Sequence, residues 1–490
     1  MHWFVKFMLV FALMALLFVV TEVVRRRMGL QSAYTRKVIH IAMGVAILFS
    51  PLIFHSKYAA LLIALVLFLI DLLAIGVMRR LKITDYRTYG ILYYPLVVFV
   101  LILLWWDSDI YVLMGAVCLM SFGDGFSAIA GMSLGKHRFS LSGDEKTLEG
   151  SIAMYVSSAV FLFPTLLFYT KHPVLSFAAA ILIPVIATVV EASSSRGLDN
   201  LTVPVTGAIL TYYLYSQGGL SSLWLATSII AAAIVTFLAL RLATLTPGGA
   251  AGAFLIGSLV FTIGRLNAGL ALITFFATSS LLSMIGKGFK RDARTLSEKG
   301  ARRDMQQVFA NGGVPLLLIV AGIFSQCWWS YTYFLAALAS VTADTWATEI
   351  GTLSRGKPLS LRTLTRVPGG TSGAVSALGT IAGILGSCLI GLFAGFYRHG
   401  GGFDLFSFSA VSVAGLAGCA FDSVLGATVQ AQYALNTGAG GMSEVKRPGS
   451  VLLRGFPWMR NDLVNFIASA FAAIVCFLIF ITLAGSLLIH

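Results

Sequence analysis

Gly123-Asp124-Gly125-Phe126-Ser127-Ala128 lies deep in a long apolar run, and Ala343-Asp344-Thr345-Trp346-Ala347-Thr348-Glu349 repeats the arrangement in the second half of the chain. An ionised carboxylate near the middle of a membrane helix costs about 2.5–3.5 kcal/mol on insertion scales, so such residues usually line an ion, substrate or proton site. Each cluster is followed by a basic loop and then by a glycine-bearing helix start. The pattern predicts two related polar sites, each at a membrane face.

Working outward, the surroundings of both clusters are apolar. Of 490 residues, 58% are hydrophobic and 11% charged, and the mean hydropathy is +0.89. Soluble globular chains do not reach this range. The apolar runs match the roughly 17–25 residues that cross a bilayer as helices, and the period-2 alternation of a membrane barrel is missing. The expected class is therefore all-α, a polytopic integral membrane protein. Trp3 to Val24 ends in Arg25-Arg26-Arg27 and lacks a small-residue cleavage pattern, so it reads as a retained, reversed anchor. Five cysteines (Cys118, Cys327, Cys388, Cys419, Cys476) stand singly in apolar stretches without Cys-x-x-Cys spacing, which suits reduced packing residues.

A net charge of +14 raises the possibility of nucleic acid, but the basic residues fall between apolar helices and not on one soluble face. Arg25 to Lys37, Arg79 to Arg87, Lys136 to Lys146, Lys287 to Arg303, Arg355 to Arg366 and Lys446 to Arg460 are separated by whole pairs of spans. All six are expected on the cytoplasmic side, with the plasma membrane as the site in a prokaryote and no nucleic-acid partner. Counting apolar runs gives about sixteen helices in two bundles of about eight, with both termini outside. Ser216-Gln217-Gly218-Gly219-Leu220-Ser221-Ser222 is the best boundary, dividing the chain into 1–215 and 223–490.

The halves share an order of polar features. In the first, Asp124 precedes a basic loop and Lys146-Thr147-Leu148-Glu149-Gly150-Ser151, expected to open a helix. In the second, Asp344 precedes a basic loop and Gly369-Gly370-Thr371-Ser372-Gly373, also expected to open a helix. Asp199-Asn200-Leu201 and Asn461-Asp462-Leu463 begin the last helix of each half.

Carboxylates beside glycine suit a hard cation. Mg²⁺ prefers one or two carboxylates plus phosphate oxygens and water, so Asp124 with Glu149 or Glu191 can hold a metal–nucleotide. Lys136, His137, Arg138 and Lys146 bring positive charge. Thr147 to Ser151 lies at a helix N-terminus, where free N–H groups and the dipole favour phosphate. Gly123 and Gly125 allow either a ligand or a neighbouring helix to approach closely. Arg36, Lys37 and His40, at the start of the second helix, complete the candidate phosphate-binding set of this half.

In the second half, the loop from Lys287 to Asn311 carries Lys299, Arg302, Arg303, Gln307 and Asn311, more polar chemistry than a topology signal needs. Phosphate binding by Lys299, Arg302 and Arg303 is the favoured reading. Asp344 and Glu349 are five apart and do not share a helix face, so a metal held by both requires a break, for which Gly351 is available. Asp422, with Gln430 beyond it, repeats the acidic-plus-small pattern in a later helix. No P-loop or dinucleotide glycine pattern is present. Any nucleotide chemistry thus needs a membrane-specific site, with a lipid as the simplest acceptor.

On these motifs the first half, roughly residues 1–215, resembles the dolichol kinase and phytol kinase family, with some likeness to CDP-diacylglycerol synthases. The resemblance rests on Arg36-Lys37-x-x-His40, Gly123-Asp124-x-x-x-Ala128-x-x-Gly131-x-x-x-Gly135-Lys136, Lys146-Thr147-x-Glu149-Gly150-Ser151, and Glu191 with Leu198-Asp199-Asn200-Leu201-x-Val203-Pro204. It implies CTP-dependent phosphorylation of a polyprenyl alcohol. The second half, roughly residues 223–490, resembles the membrane family that contains plant phytyl-phosphate kinase. Its motifs are Arg302-Arg303, Gln307-Val308-x-Ala310-Asn311-Gly312, Ala343-Asp344-Thr345-x-Ala347-x-Glu349-Ile350-Gly351, Gly370-Thr371-Ser372-Gly373, and Asp422-Ser423-x-Leu425-Gly426-Ala427-x-x-Gln430. Asn461-Asp462 departs from the pair of asparagines expected there.

Joined, the halves read as consecutive phosphoryl transfers on one lipid: prenyl alcohol to monophosphate, then monophosphate to diphosphate. CTP or another nucleoside triphosphate and Mg²⁺ are the expected cofactors. Asp124 and Glu149 are assigned to metal, Lys136 and Lys146 to phosphates, and Glu191 or Asp199 to the lipid hydroxyl. Asp344, Glu349 and Asp422 are assigned to metal in the second half, and Lys299, Arg302, Arg303 and Gly370, Thr371, Ser372 and Gly373 to phosphates. Two alternatives stand beside this reading, a cytidylyltransferase making a CDP-lipid and a transporter or flippase for a phosphorylated lipid.

Overall fold

Apolar runs of bilayer length wind into helices because a helix satisfies every backbone donor and acceptor internally. The computed structural model describes residues 2–29, 32–54, 56–80, 90–218, 220–284, 302–325, 329–354, 356–397, 402–434, 442–443 and 450–484. Among them, twelve helices are long and apolar enough to cross a membrane. Gly90–Trp105 is apolar but shorter, and the 38-residue helix Pro247–Met284 breaks at Arg265 into two arms, so the count depends on how such pieces are scored. The strands are two to four residues long and leave the class all-α. Cys118, Cys388, Cys419 and Cys476 are free thiols. The described residues divide into two units, Met1–Ile229 and Ile230–His490.

The first unit contains α1 (His2–Met28), α2 (Ser32–Ile53), α3 (Lys57–Arg80), α4 (Gly90–Trp105), α5 (Ile110–Cys118), α6 (Gly125–Leu134), α7 (Leu148–Thr170), α8 (Pro173–Ser193) and α9 (Asp199–Ser216). Between α5 and α6 the chain winds through a π-helical turn, Leu119–Asp124, which ends on the acidic residue. This composite span, Ile110–Leu134, is the enclosed centre of the unit, with 83% of its apolar window buried. The π turn touches α2, α7, α8 and α9. Val112, Leu113, Met114, Ala116 and Val117 of α5 are wholly buried. Lipid therefore does not face Asp124; other helices do. A two-stranded hairpin, β1 (Arg138–Phe139) with β2 (Lys146–Thr147), joins α6 to α7.

Helix α10 (Ser221–Arg241) leads into the second unit, followed by α11 (Pro247–Met284), α12 (Met305–Ser325), α13 (Trp329–Gly351), α14 (Ala377–Gly395), α15 (Leu405–Thr428) and α16 (Asn461–Ile479). Here α13 is central, touching α11, α12, α14, α15 and α16, and Phe334 to Ala339 are completely buried. Its partner α14 presents Gly379, Gly383 and Gly386. A Cβ on Gly379 would lie 2.8 Å from the Ala347 carbonyl, and one on Gly386 would lie 3.1 Å from the Trp346 ring. Small residues let the two backbones close up, as membrane helix pairs do.

A second hairpin, β3 (Leu359–Ser360) with β4 (Ala374–Val375), joins α13 to α14. Each hairpin runs into a hydroxyl-capped helix. Thr147 Oγ1 accepts from Gly150 N–H at 3.1 Å, and Ser376 Oγ accepts from Gly379 N–H at 3.1 Å. This places the start of α14 at Ser376, which corrects the expectation that Gly369 to Gly373 opens it. Gly370 and Gly373 have φ of 85° and 73°, a turn conformation that cannot enter a helix. Thr147 thus corresponds to Ser376, and Lys146 corresponds to Val375.

Gly373 is also pressed against Ala427, where an added Cβ would overlap the backbone nitrogen. Gly373→Ala is expected to destabilise the second unit by about 1–3 kcal/mol. Heat-induced labelling of the buried Cys476 thiol, followed by mass, will move to lower temperature, while Cys118 in the first unit labels as in the wild type.

Candidate functional site

Asp124 sits at the end of the π turn and is almost wholly buried, its side chain 3% exposed. Lys37 Nζ, from α2, donates to Asp124 Oδ2 at 2.6 Å. One turn further along α2, His40 Nε2 lies 3.6 Å from the same oxygen and 3.1 Å from the Met120 carbonyl. The His40 ring stacks edge-on to Tyr94 at 4.2 Å, and the Tyr94 hydroxyl meets Ser121 Oγ at 3.2 Å. The Lys37 and His40 spacing of three places both on one face of α2, aimed at the π turn. The glycines flanking Asp124 give way to protein: Gly123 faces Ser158 and Met154 of α7, and Gly125 faces Ile41 of α2. Of the two readings of these glycines, close helix packing is the one the structure adopts.

Lys146, the penultimate residue of the hairpin, reaches back to two helices. Its Nζ donates to Glu191 Oε1 on α8 at 2.5 Å and lies 3.5 Å from Asp199 Oδ2 at the start of α9. Burial alone depresses the ammonium. The Glu191 and Asp199 carboxylates outweigh it, so the Lys146 pKa stands above the ordinary lysine value. Carboxylate oxygens of Asp124, Glu191 and Asp199 come within 4.8 Å of one another. The result is a three-acid, two-lysine cluster drawn from α2, the π turn, the hairpin, α8 and α9.

Glu149, expected beside Asp124, is elsewhere. It follows the strand-to-helix switch at Thr147, which turns it toward the hairpin, where it pairs with His137 Nδ1 at 2.7 Å and accepts from the His137 backbone N–H at 3.3 Å. The acids that accompany Asp124 are Glu191 and Asp199. Lys136 and Arg36 are exposed, and the Thr147 hydroxyl is taken up as a helix cap. Asn200, next to Asp199, anchors α9 by donating to the Gly90 carbonyl at 2.8 Å.

In the second unit α13 runs unbroken through Asp344 and Glu349 to Gly351. The break needed for a shared metal site does not occur. Glu349 turns toward α11, where Ser283 Oγ donates to it at 2.6 Å. Asp344 and Asp422 both lie within electrostatic reach of Cys419 on α15, which brings those two acids to the α13–α15 contact. With the Asn465 amide set so that both ends are satisfied, its nitrogen donates to Asp422 Oδ2 at 3.0 Å and to the Asn461 carbonyl at 3.2 Å, and its oxygen faces the Asn311 side chain at 3.2 Å. Asn465 is a member of this cluster that sequence motifs miss.

Gln307 has a local task. Its backbone N–H donates to Asp304 Oδ1 at 2.9 Å and its side chain accepts from Asp304 N–H at 3.2 Å, a capping box on α12. Ser372 Oγ donates to Gln430 Oε1 at 2.8 Å, and Thr371 Oγ1 to the Pro368 carbonyl at 2.8 Å. Arg454 donates to the carbonyls of Ala427 at 2.6 Å, Gly426 at 2.8 Å and Ser372 at 3.3 Å. It clamps the Gly370–Gly373 turn to the end of α15, where a cation complements the helix dipole. Arg302 is exposed, Arg303 is partly buried, and Lys299 lies outside the described residues.

The donor set fits a hard divalent cation better in the first unit. Three carboxylates with oxygens within 4.8 Å of one another match the oxygen preference of Mg²⁺, which completes its shell with water and phosphate. Lys146 holds the same acids together without an ion.

Residues 230–473 match the integral membrane protein family DUF92. An uncharacterized membrane protein of Methanocaldococcus jannaschii is 30% identical over 235 residues, covering 48% of this chain and 85% of that protein. The chain belongs to the DUF92 family of integral membrane proteins. Protein PGR of Arabidopsis thaliana is 27% identical over 265 residues, 49% of this chain and 91% of that protein. The phytol kinase of Synechocystis is 25% identical over 198 residues, 40% of this chain and 85% of that enzyme. No solved structure matches the chain.

Proposed function

We propose that the chain is a two-step isoprenoid kinase, in which the first unit phosphorylates a prenyl alcohol and the second phosphorylates the resulting monophosphate. The observation that carries this reading is the enclosed cluster of Asp124, Glu191 and Asp199 with Lys37 and Lys146. Buried acids and fixed ammonium groups at a hairpin end suit phosphoryl transfer, which depends on positioning and charge neutralisation more than on covalent protein chemistry. The similarity to the Synechocystis phytol kinase supports the substrate class, and the basic loops support placing the hairpin ends on the cytoplasmic side, with CTP or another nucleoside triphosphate as donor.

In the first transfer, Lys146 and Lys37 draw the phosphate oxygens into the cluster, and Asp124 fixes Lys37 in place. The lipid hydroxyl oxygen attacks the terminal phosphorus, the bond to the bridging oxygen breaks, and the nucleoside diphosphate leaves. Asp199 or Glu191 accepts the hydroxyl proton. Asp124 with Glu191 or Asp199 would hold Mg²⁺, which would neutralise phosphate charge there. In the second transfer Asp344, Asp422 and the Asn311–Asn465 pair occupy the corresponding place, with Arg303 within electrostatic reach of Glu349. Carrying both units on one chain keeps the monophosphate near its second site.

The test is to supply the purified chain with Mg²⁺, CTP or ATP, and phytol or geranylgeraniol, and to weigh the products. Diphosphate preceded by monophosphate is expected. A cytidylyl adduct, or no product with any prenyl alcohol and either nucleotide, would overturn the reading.

A further inference from the structure

Within the second unit an apolar pocket, open on one side, is lined by the second half of α10, both arms of α11 and the start of α12. Of its eighteen lining residues only Thr236, Arg303 and Asn311 are polar. Thr236 is satisfied by its own helix, donating to the Ala232 carbonyl at 2.7 Å. Arg303 and Asn311 stand at one end, and Phe261 and Gly269, which pack on each other beside the Arg265 break, stand at the other. From Ala253 to Phe261 the wall runs along α11 for about 12 Å at the helical rise.

The Arg303 guanidinium is in no salt bridge among the described residues, and the Glu349 carboxylate lies within electrostatic reach of it. The Arg303 backbone ties the starts of α11 and α12 together, donating to the Thr244 carbonyl at 3.0 Å and accepting from Thr246 N–H at 3.0 Å. Its Cζ lies 5.9 Å from the ring centres of both Phe275 and Phe276, close enough for the rings to hold a cation. Among the described residues the guanidinium forms no side-chain hydrogen bond. A fixed planar fork of donors at the mouth of an apolar slot recognises phosphate or carboxylate. Asn311 links this end to the Asn465–Asp422 cluster.

We infer that this cavity binds a single-chain lipid with an anionic head, the head on Arg303 and the tail running toward Phe261 and Gly269, with Gly257 and Ala232 limiting the tail that fits. The inference rests on the kinase reading only for the identity of the head group, which there is the monophosphate of the second step. Gly257 is the position to alter. A Cβ there meets Ala232 Cβ at 3.5 Å, an ordinary contact, so a larger side chain fills the cavity without first displacing backbone.

The experiment measures binding of geranyl (C10) and geranylgeranyl (C20) monophosphate to the full chain in phosphatidylcholine nanodiscs without nucleotide, with protein-free discs subtracted. Gly257→Leu is expected to weaken C20 binding at least tenfold and C10 binding less than threefold, while Gly257→Ala leaves both within twofold. Arg303→Gln weakens both lengths at least tenfold and abolishes the preference for monophosphate over geranylgeraniol. Competition by oleate as strong as by C20 monophosphate assigns the cavity to single-chain anions in general; weak competition assigns it to phosphate heads. Equal effects of Gly257→Leu on the two lengths, or unchanged binding in Arg303→Gln, overturn the inference. Retained C10 binding shows that Gly257→Leu is folded. If no diphosphate is ever formed yet these shifts appear, the lipid site stands and the kinase reading falls. If diphosphate forms with the same chain-length preference in Gly257→Leu, the kinase reading stands and the cavity assignment falls.

Discussion

Lys146→Ala will destabilise the first unit by about 3–5 kcal/mol, the cost of removing one partner from a buried, hydrogen-bonded ion pair. Lys146 is 18% exposed, and its partners Glu191 and Asp199 are 5% and 16% exposed, so water cannot replace the lost ammonium. Three carboxylates whose oxygens lie within 4.8 Å would then face one another with Lys37 and His40 beside Asp124, and their mutual repulsion would go unopposed at the Glu191 and Asp199 side. The effect is separable from function. Labelling of Cys118, which is completely buried in α5, reports the opening of this unit alone. Its midpoint should fall sharply in Lys146→Ala and recover in large part in the double variant Lys146→Met with Glu191→Gln, which removes both charges together. An unchanged midpoint, or a double variant no better than the single one, contradicts the assigned pairing.

Asp124→Asn is expected to slow the first transfer by about a hundred- to thousand-fold, the usual scale for losing one preorganised charged group at a developing charge. The amide keeps the volume and a hydrogen-bond acceptor, so the packing of α2 and α7 on the π turn is preserved. What disappears is the anion that fixes Lys37 at 2.6 Å and, on the proposed reading, would serve as a cation ligand. Lys37→Met should reproduce part of the loss. The check is the initial rate of monophosphate formation from geranylgeraniol, with diphosphate formation from added monophosphate as an internal control. A variant with wild-type rates in the first step would remove Asp124 from the chemistry.

The membrane class is legible in the apolar runs, and Asp124, Asp344 and Asp422 stand out because charge is scarce around them. What the linear chain does not carry is which helix faces which. Lys146 meets Glu191 across 45 residues and Lys37 meets Asp124 across 87, distances in sequence that no local period encodes. Glu149 illustrates the converse difficulty. It belongs to a motif with Lys146, but a strand, a cap and a first helical turn intervene within four residues, and the two side chains leave in different directions. The Gly369–Gly373 run misleads for a related reason. Glycine and hydroxyl residues suit a helix start and a tight turn equally, and only the positive φ of Gly370 and Gly373 decides. Arg454 gives little warning in sequence, since its partners are carbonyls, which every residue possesses.

The two units share a spacing and differ in charge. Asp124 precedes Gly131 by seven residues and Asp344 precedes Gly351 by the same interval, and each of those glycines lies against the first turn of the hairpin-led helix. The plan is shared while the charges differ. Where the first unit has Lys146, the second has Val375, and Asp422 there is joined to Asn465.

The central claim is one transfer per unit, and the most direct measurement is product mass from two variants of the full chain given nucleotide and Mg²⁺. Asp344→Asn supplied with geranylgeraniol should stop at monophosphate, whereas Asp124→Asn should make almost nothing from the alcohol yet convert added geranylgeranyl monophosphate to diphosphate at close to the wild-type rate. Diphosphate appearing at an undiminished rate in Asp344→Asn, or both steps failing together in either folded variant, would contradict it.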